Sequence, residues 1–207
     1  MRSIFRSGKK KKSKKGIVFY ERENLFQTVG DLIKTLDIID DSNCLLAQNP
    51  IEFHGNKLDN INEKTISSDF GEKAFLLMPE TVVEGSKIYY FRLSSEHLKF
   101  LIQVHFLDGY FYFASTKVYG DSLLSERDKK KVIKRIVKKY IPESDDYEFE
   151  FKIRDEQGNI LFTKDDVFFH INYLPNNKIT QKLREKHSDY KPPKPGQNLK
   201  NTLDELI

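Results

Sequence analysis

The chain has 207 residues, of which 38% are hydrophobic, 13% aromatic and 32% charged, a balance that excludes a coreless chain and suits one large or two small globular domains. No run approaches the roughly 18 apolar residues of a membrane span, and a single cysteine, Cys44, excludes an internal disulfide and suits a reducing compartment, so a cytoplasmic protein is expected. The net charge of +4 is unevenly spread: residues 1–16 hold Arg2, Arg6, Lys9, Lys10, Lys11, Lys12, Lys14 and Lys15 and no acid, which leaves the remainder net negative.

That basic arm repels itself and cannot bury apolar area, so it reads as disordered or as the tip of a long hairpin whose strands are Arg2-Ser3-Ile4-Phe5 and Gly16-Ile17-Val18-Phe19-Tyr20. No apolar region follows it, so it does not read as a secretory signal, and Arg2 excludes N-myristoylation. Lys9, Lys10, Lys11, Lys12, Lys14 and Lys15 read first as a solvated turn and, as the alternative, as phosphate contacts to nucleic acid or an anionic membrane surface. From Asn24 the spacing of Leu25, Val29, Leu32, Ile33 and Leu36 predicts a helix, capped by Thr28 or Asn24 and closed by Asp40-Asp41-Ser42-Asn43. Cys44-Leu45-Leu46-Ala47 leads through Asn49-Pro50 into a strand over residues 51–58 that breaks at Gly55 and re-enters at Leu58. A polar loop, a turn at Thr65-Ile66 and a strand over residues 74–78 follow.

Three segments of this part, Thr28-Val29-Gly30-Asp31-Leu32-Ile33-Lys34, Phe53-x-Gly55-x-x-Leu58, and Thr65-Ile66 with Phe70, match the helix start, the strand-turn signature and the last turn of one family. Residues 28–78 resemble the ubiquitin-like β-grasp family, which implies a β-grasp over residues 1–80. Glu52 stands where the family's recognition patch carries an aliphatic residue, and residues 78–82 offer no terminal Gly-Gly. The resemblance therefore implies a ubiquitin-like domain that is not conjugated to other proteins.

Composition changes over residues 79–86, and the part beyond reads strand, strand, strand, helix, strand, strand. The first strands cover residues 87–93 and 100–106. Asp108-Gly109 is a two-residue hairpin signal leading into Tyr110-Phe111-Tyr112-Phe113-Ala114, with aromatic side chains on both faces. Residues 125–141 read as a helix: Ser125 and Asp128 at its start, Pro142 after its end, and an apolar stripe of Val132, Ile133, Ile136, Val137 and Tyr140. Its other face carries Lys130, Lys131, Lys134, Arg135 and Lys138, a solvated surface or a nucleic-acid contact. Tyr147, Phe149, Phe151 and Ile153 alternate with Glu148, Glu150, Lys152 and Arg154, a strand with one dry and one wet face, and strands at residues 160–163 and 167–174 follow the turn at Asp155-Glu156-Gln157-Gly158-Asn159.

Glu150 and Lys152 have the E-x-K spacing of metal-dependent nucleases, with Asp121 as an earlier carboxylate, but the wet strand face accounts for the same charges. His105 and His170 lack the three or four ligands a zinc site needs. No catalytic residue, metal or cofactor is assigned. After Pro175 a basic stretch and the Pro-rich residues 191–196 lead to Leu199, Leu203, Leu206 and Ile207, whose helical spacing suits a docking peptide or a frayed tail.

The expected fold is α+β: a ubiquitin-like β-grasp with a basic arm (1–80), a mostly antiparallel β-rich domain with one packed helix (86–175), and a Pro-containing linker with a docking peptide (176–207). The expected role is a non-catalytic protein-interaction or adaptor protein. The alternatives are a nucleic-acid-binding protein that uses the arm and the basic helix and, third, an E-x-K nuclease.

Overall fold

The computed structural model describes residues 16–79, 82–95, 97–121, 123–142 and 148–191. In chain order they form α1 (Ile17–Glu23), α2 (Val29–Leu36), β1 (Leu45–Leu46), β2 (Glu52–Phe53), β3 (Asn56–Lys57), α3 (Glu63–Phe70), β4 (Phe75–Leu77), β5 (Ser86–Ser95), β6 (Leu98–Leu107), β7 (Tyr110–Tyr119), α4 (Glu126–Tyr140), β8 (Lys152–Arg154), β9 (Ile160–Asp165), β10 (Phe169–Leu174) and α5 (Lys178–Lys186). The fold is mixed α+β. Eight strands make one sheet in the order β1-β8-β9-β10-β7-β6-β5-β4, antiparallel except where β1 runs parallel to β8, while β2 and β3 form a separate ribbon.

The hairpin of β6 and β7 anchors the sheet. Asp108 and Gly109 both have positive φ, 51° and 80°, the pair of left-handed residues a two-residue hairpin loop requires. A register shift between His105 and Phe106 then places Phe111 in one core and Tyr112 with Phe113 in another. The sheet is covered on both faces. On one, α4 inserts Ile133, Val137 and Tyr140 among Phe91, Ile102, Val104, Ala114, Val118 and Phe169. On the other, Phe26, Leu32 and Leu36 with Leu183 of α5 pack on Phe113, Ile160, Phe162 and Leu174, and Tyr20 packs on Ile88, Tyr90 and Leu101.

Several expectations change. Residues 17–20, expected as a strand of a β-grasp, lie in the helix α1. A helical turn lets Tyr20 stack on Phe75 with ring centroids 4.4 Å apart, and its carbonyl accepts the Tyr90 hydroxyl at 2.9 Å, contacts that outweigh the β-preference of Ile, Val and Phe. Phe53 and Phe75 lie in different sheets, so the described residues do not form the sheet that the ubiquitin-like resemblance implies. Thr65 and Ile66, expected as a turn, sit inside α3, which Asn62 and Thr65 start with a reciprocal capping box.

The expected boundary at residues 79–86 is crossed by the sheet itself, since β1 pairs with β8 and β4 with β5. Ile51, Phe53, Leu58, Ile61 and Ile66 also share a core with α4, so residues before and after that boundary are joined by packing as well as hydrogen bonds. Three strands follow α4, one more than the expected strand order named, at the three stretches where the sequence places strands, although the first is confined to Lys152–Arg154. The expected wet face around residue 152 is occupied: Lys152 pairs with the Asp41 carboxylate, and Arg154 donates to the carbonyls of Ile39 and Asp41. The stretch after Pro175, expected to loosen, instead forms α5, because Asn177 and Thr180 cap it and Leu183 is buried.

Candidate functional site

The sequence of α4 divides its circumference into two. Ser125 opens the helix by accepting from the Asp128 amide, and its hydroxyl donates to the Asp128 carboxylate. That hydroxyl and a 3.2 Å contact from His97 hold the Asp128 carboxyl down to about 2, so the helix start is anionic, as the helix dipole favours. Two lysines tie the helix down: Lys129 lies 2.6 Å from Asp165, and Lys139 lies 2.9 Å from Glu52. Burial is the largest single influence on Lys139 and acts to lower it, but the hydrogen bond and charge of Glu52 together with the Tyr140 hydroxyl outweigh it, and the ammonium pKa rises.

The remaining cations face outward. Lys130, Lys131, Lys134, Arg135 and Lys138 are all exposed, as the sequence predicts, and Arg127 extends the same ridge by one turn. Arg127 was not among the expected contacts, although its spacing of three and four residues from Lys130 and Lys131 is the signal that places it there. Lys131 is 3.4 Å from Asp128; Arg127, Lys130, Lys134, Arg135 and Lys138 have no acidic partner within salt-bridge distance among the described residues. From 127 to 138 the ridge runs about 16 Å. A shallow depression of about 410 Å³ lies along it, lined by Glu126, Arg127, Lys130, Lys131 and Lys134.

This ridge is costly to the free helix. Like charges at i,i+3 and i,i+4 each destabilise by about 0.2–0.5 kcal/mol, and Arg127, Lys130, Lys131, Lys134, Arg135 and Lys138 make several such pairs. Burial of Ile133, Val137 and Tyr140, at about 1.5–3 kcal/mol each, holds α4 on the sheet against that repulsion. The arrangement can bind anions.

The other candidates do not converge on it. Lys178, Lys182 and Lys186 belong to α5, which packs on the opposite face of the sheet, and Arg184 is engaged by Asp40 and Asp37. Lys9, Lys10, Lys11, Lys12, Lys14 and Lys15, like Leu199, Leu203, Leu206 and Ile207, lie outside the described residues. The E-x-K group is not assembled. The Glu150 carboxylate accepts the Asp165 amide at 2.9 Å, Lys152 is held by Asp41, and Asp121 pairs with Lys99. His105 and His170 are two strands apart, on β6 and β10 with β7 between, and among the described residues no group of three or more potential ligands gathers as a metal site. No helix among the described residues is long and apolar enough to cross a membrane.

No protein-family model matches this chain, and neither a curated protein nor a solved structure matches it. The functional reading therefore rests on the geometry of α4.

Proposed function

We propose that this protein is a non-catalytic interaction module whose outward α4 ridge docks on an acidic surface of a partner protein. The observation that carries the reading is the set Arg127, Lys130, Lys134, Arg135 and Lys138: exposed, on one side of one rigid helix, and without acidic partners among the described residues. A nucleic acid is the poorer fit because the cations of α4 and α5 lie on opposite faces of the sheet, so they do not form one broad surface that follows a phosphate backbone. The α4 ridge also carries no exposed aromatic residue on which a base would stack.

The test is a triple charge reversal, Arg127→Glu with Lys130→Glu and Lys134→Glu, in the full chain. Circular dichroism should show an unchanged fold, since the three side chains are solvent-facing. Capture of a partner that withstands nuclease treatment and is lost in the triple variant supports the reading. Capture abolished by nuclease would replace it with nucleic-acid binding, and capture indifferent to the reversal would move the surface elsewhere.

A further inference from the structure

The face of the sheet opposite α4 carries a row of polar side chains that the docking ridge does not use. Strand alternation and register put Gln103 of β6, Ser115 and Lys117 of β7, and His170 and Asn172 of β10 on that face, with Asn172 opposite Ser115 and His170 opposite Lys117. Most are satisfied within the protein. Gln103 donates to the Glu23 carbonyl at 2.8 Å, Lys117 reaches the Glu23 carboxylate at 2.7 Å, and Ser115 lies 3.4 Å from Nδ1 of His170.

Asn172 is the exception. It is 3% exposed, and its Oδ1 is buried with no hydrogen-bond partner. An unsatisfied buried acceptor destabilises the fold, whereas a leucine of similar shape at this position would leave no polar atom unpaired. The residue lines a cavity of about 230 Å³ between α2 and the sheet, with Phe26, Phe113 and Phe162 in its walls and His170 beside it. Lys34, which makes no ion pair with a described residue, stands at the rim.

We infer that this cavity binds a planar, uncharged heteroaromatic ring of nucleobase type, held against the phenyl rings and read along its hydrogen-bonding edge by the carboxamide of Asn172. Three features select that class. The carboxamide presents an acceptor and a donor side by side, the complement of a nucleobase edge such as that of adenine. Aromatic side chains in the walls favour a flat π-system over an aliphatic ligand. The volume falls below the roughly 300–1,000 Å³ of pockets for drug-sized ligands, which suits one ring or a fused pair. Burial pushes His170 down to about 4, so it meets the ligand as a neutral imidazole and adds no charge to the site. Asp31, Lys164 and Asp166 also line the cavity, but Lys164 is paired with Asp166, so Lys34 is the cation left for an anionic substituent on the ring.

The test uses the full chain, labelled for amide NMR, titrated separately with adenine, guanine, cytosine and nicotinamide, and with adenosine monophosphate to probe the rim. At least one ring should bind and shift the amides of Phe113, Phe162, His170 and Asn172. Asn172→Leu should lower that affinity about tenfold or more while leaving the melting temperature unchanged or raised, because it removes an unpaired polar group without leaving a cavity. Failure of all five probes to bind at millimolar concentration overturns the inference. So does binding unaffected by Asn172→Leu, or shifts confined to α4. A lowered melting temperature in Asn172→Leu also overturns it, since it would show the carboxamide to be satisfied in the free protein.

Discussion

The carboxylate of Glu23, at the end of α1, lies 2.7 Å from the ammonium group of Lys117 in β7, 94 residues further along the chain. Lys117 is 8% exposed, and its ammonium also sits 3.6 Å from the centroid of the Phe168 ring. The pair fastens a short helix of seven residues, too short to hold itself together, onto the polar row of the sheet.

Removing one partner should therefore be costly. Glu23→Gln leaves the Lys117 charge buried without its counterion and is expected to lose about 3–5 kcal/mol, read from urea denaturation midpoints. Glu23→Leu combined with Lys117→Met should recover most of that loss, because the pair then leaves together. A loss below about 1 kcal/mol in the single variant would show the pair to behave as a solvated surface bridge.

Acid should weaken the fold before its carboxylates titrate. Burial lowers His105 to about 3 and His170 to about 4, both from 6.5, so each is neutral in the native state and takes up a proton on unfolding below that value. The folded value lies beneath the unfolded one, so the contribution is complete above about 6.5 and is lost as pH falls toward each folded value. Stability measured from about pH 7 to about pH 5 should fall steadily, with the ring protons of both histidines showing no titration over that range. A flat profile would mean that these histidines protonate without unfolding.

Asp155 should be among the most sensitive positions in the turn before β9. It is 5% exposed, and its carboxylate accepts four hydrogen bonds: from the amides of Ile51, Gln157 and Asn159 and from the Asn159 side chain. Asp155→Ala strands the Ile51 amide, 104 residues away, and is expected to cost about 3 kcal/mol or more. Neighbouring Gly158, at φ 82°, should resist alanine as well, since a Cβ there would meet Nδ2 of Asn176 at 2.6 Å. Thermal denaturation of both variants checks this, and a change of only a degree or two for Asp155→Ala would contradict it.

Local chemistry made much of the architecture legible. Asp108-Gly109 carries its own left-handed turn preference, Thr28 and Ser125 carry their own caps, and the stripe of Ile133, Val137 and Tyr140 has a period that only a helix brings to one side. The basic ridge of α4 was readable for the same reason, because residues three and four apart on a helix are neighbours in any surroundings. Each signal lies within a few residues of the feature it sets.

What tertiary structure alone decided depends on distant partners. Ile17, Val18 and Phe19 have strand preferences, and residues 17–20 turn helical only because Tyr20 finds Phe75 and Tyr90 beneath it. Leu45 and Leu46 meet Ile153 and Arg154 across more than half the chain, which drew residues before the expected boundary into the same sheet as those after it. The expected strand stopped at Ala114, so the face that Ser115 and Lys117 share with His170 and Asn172 was not read, nor that α1 and α2 would roof it. A strand's period reports that two faces differ; whether the more polar one meets water or another layer is set by what packs against it.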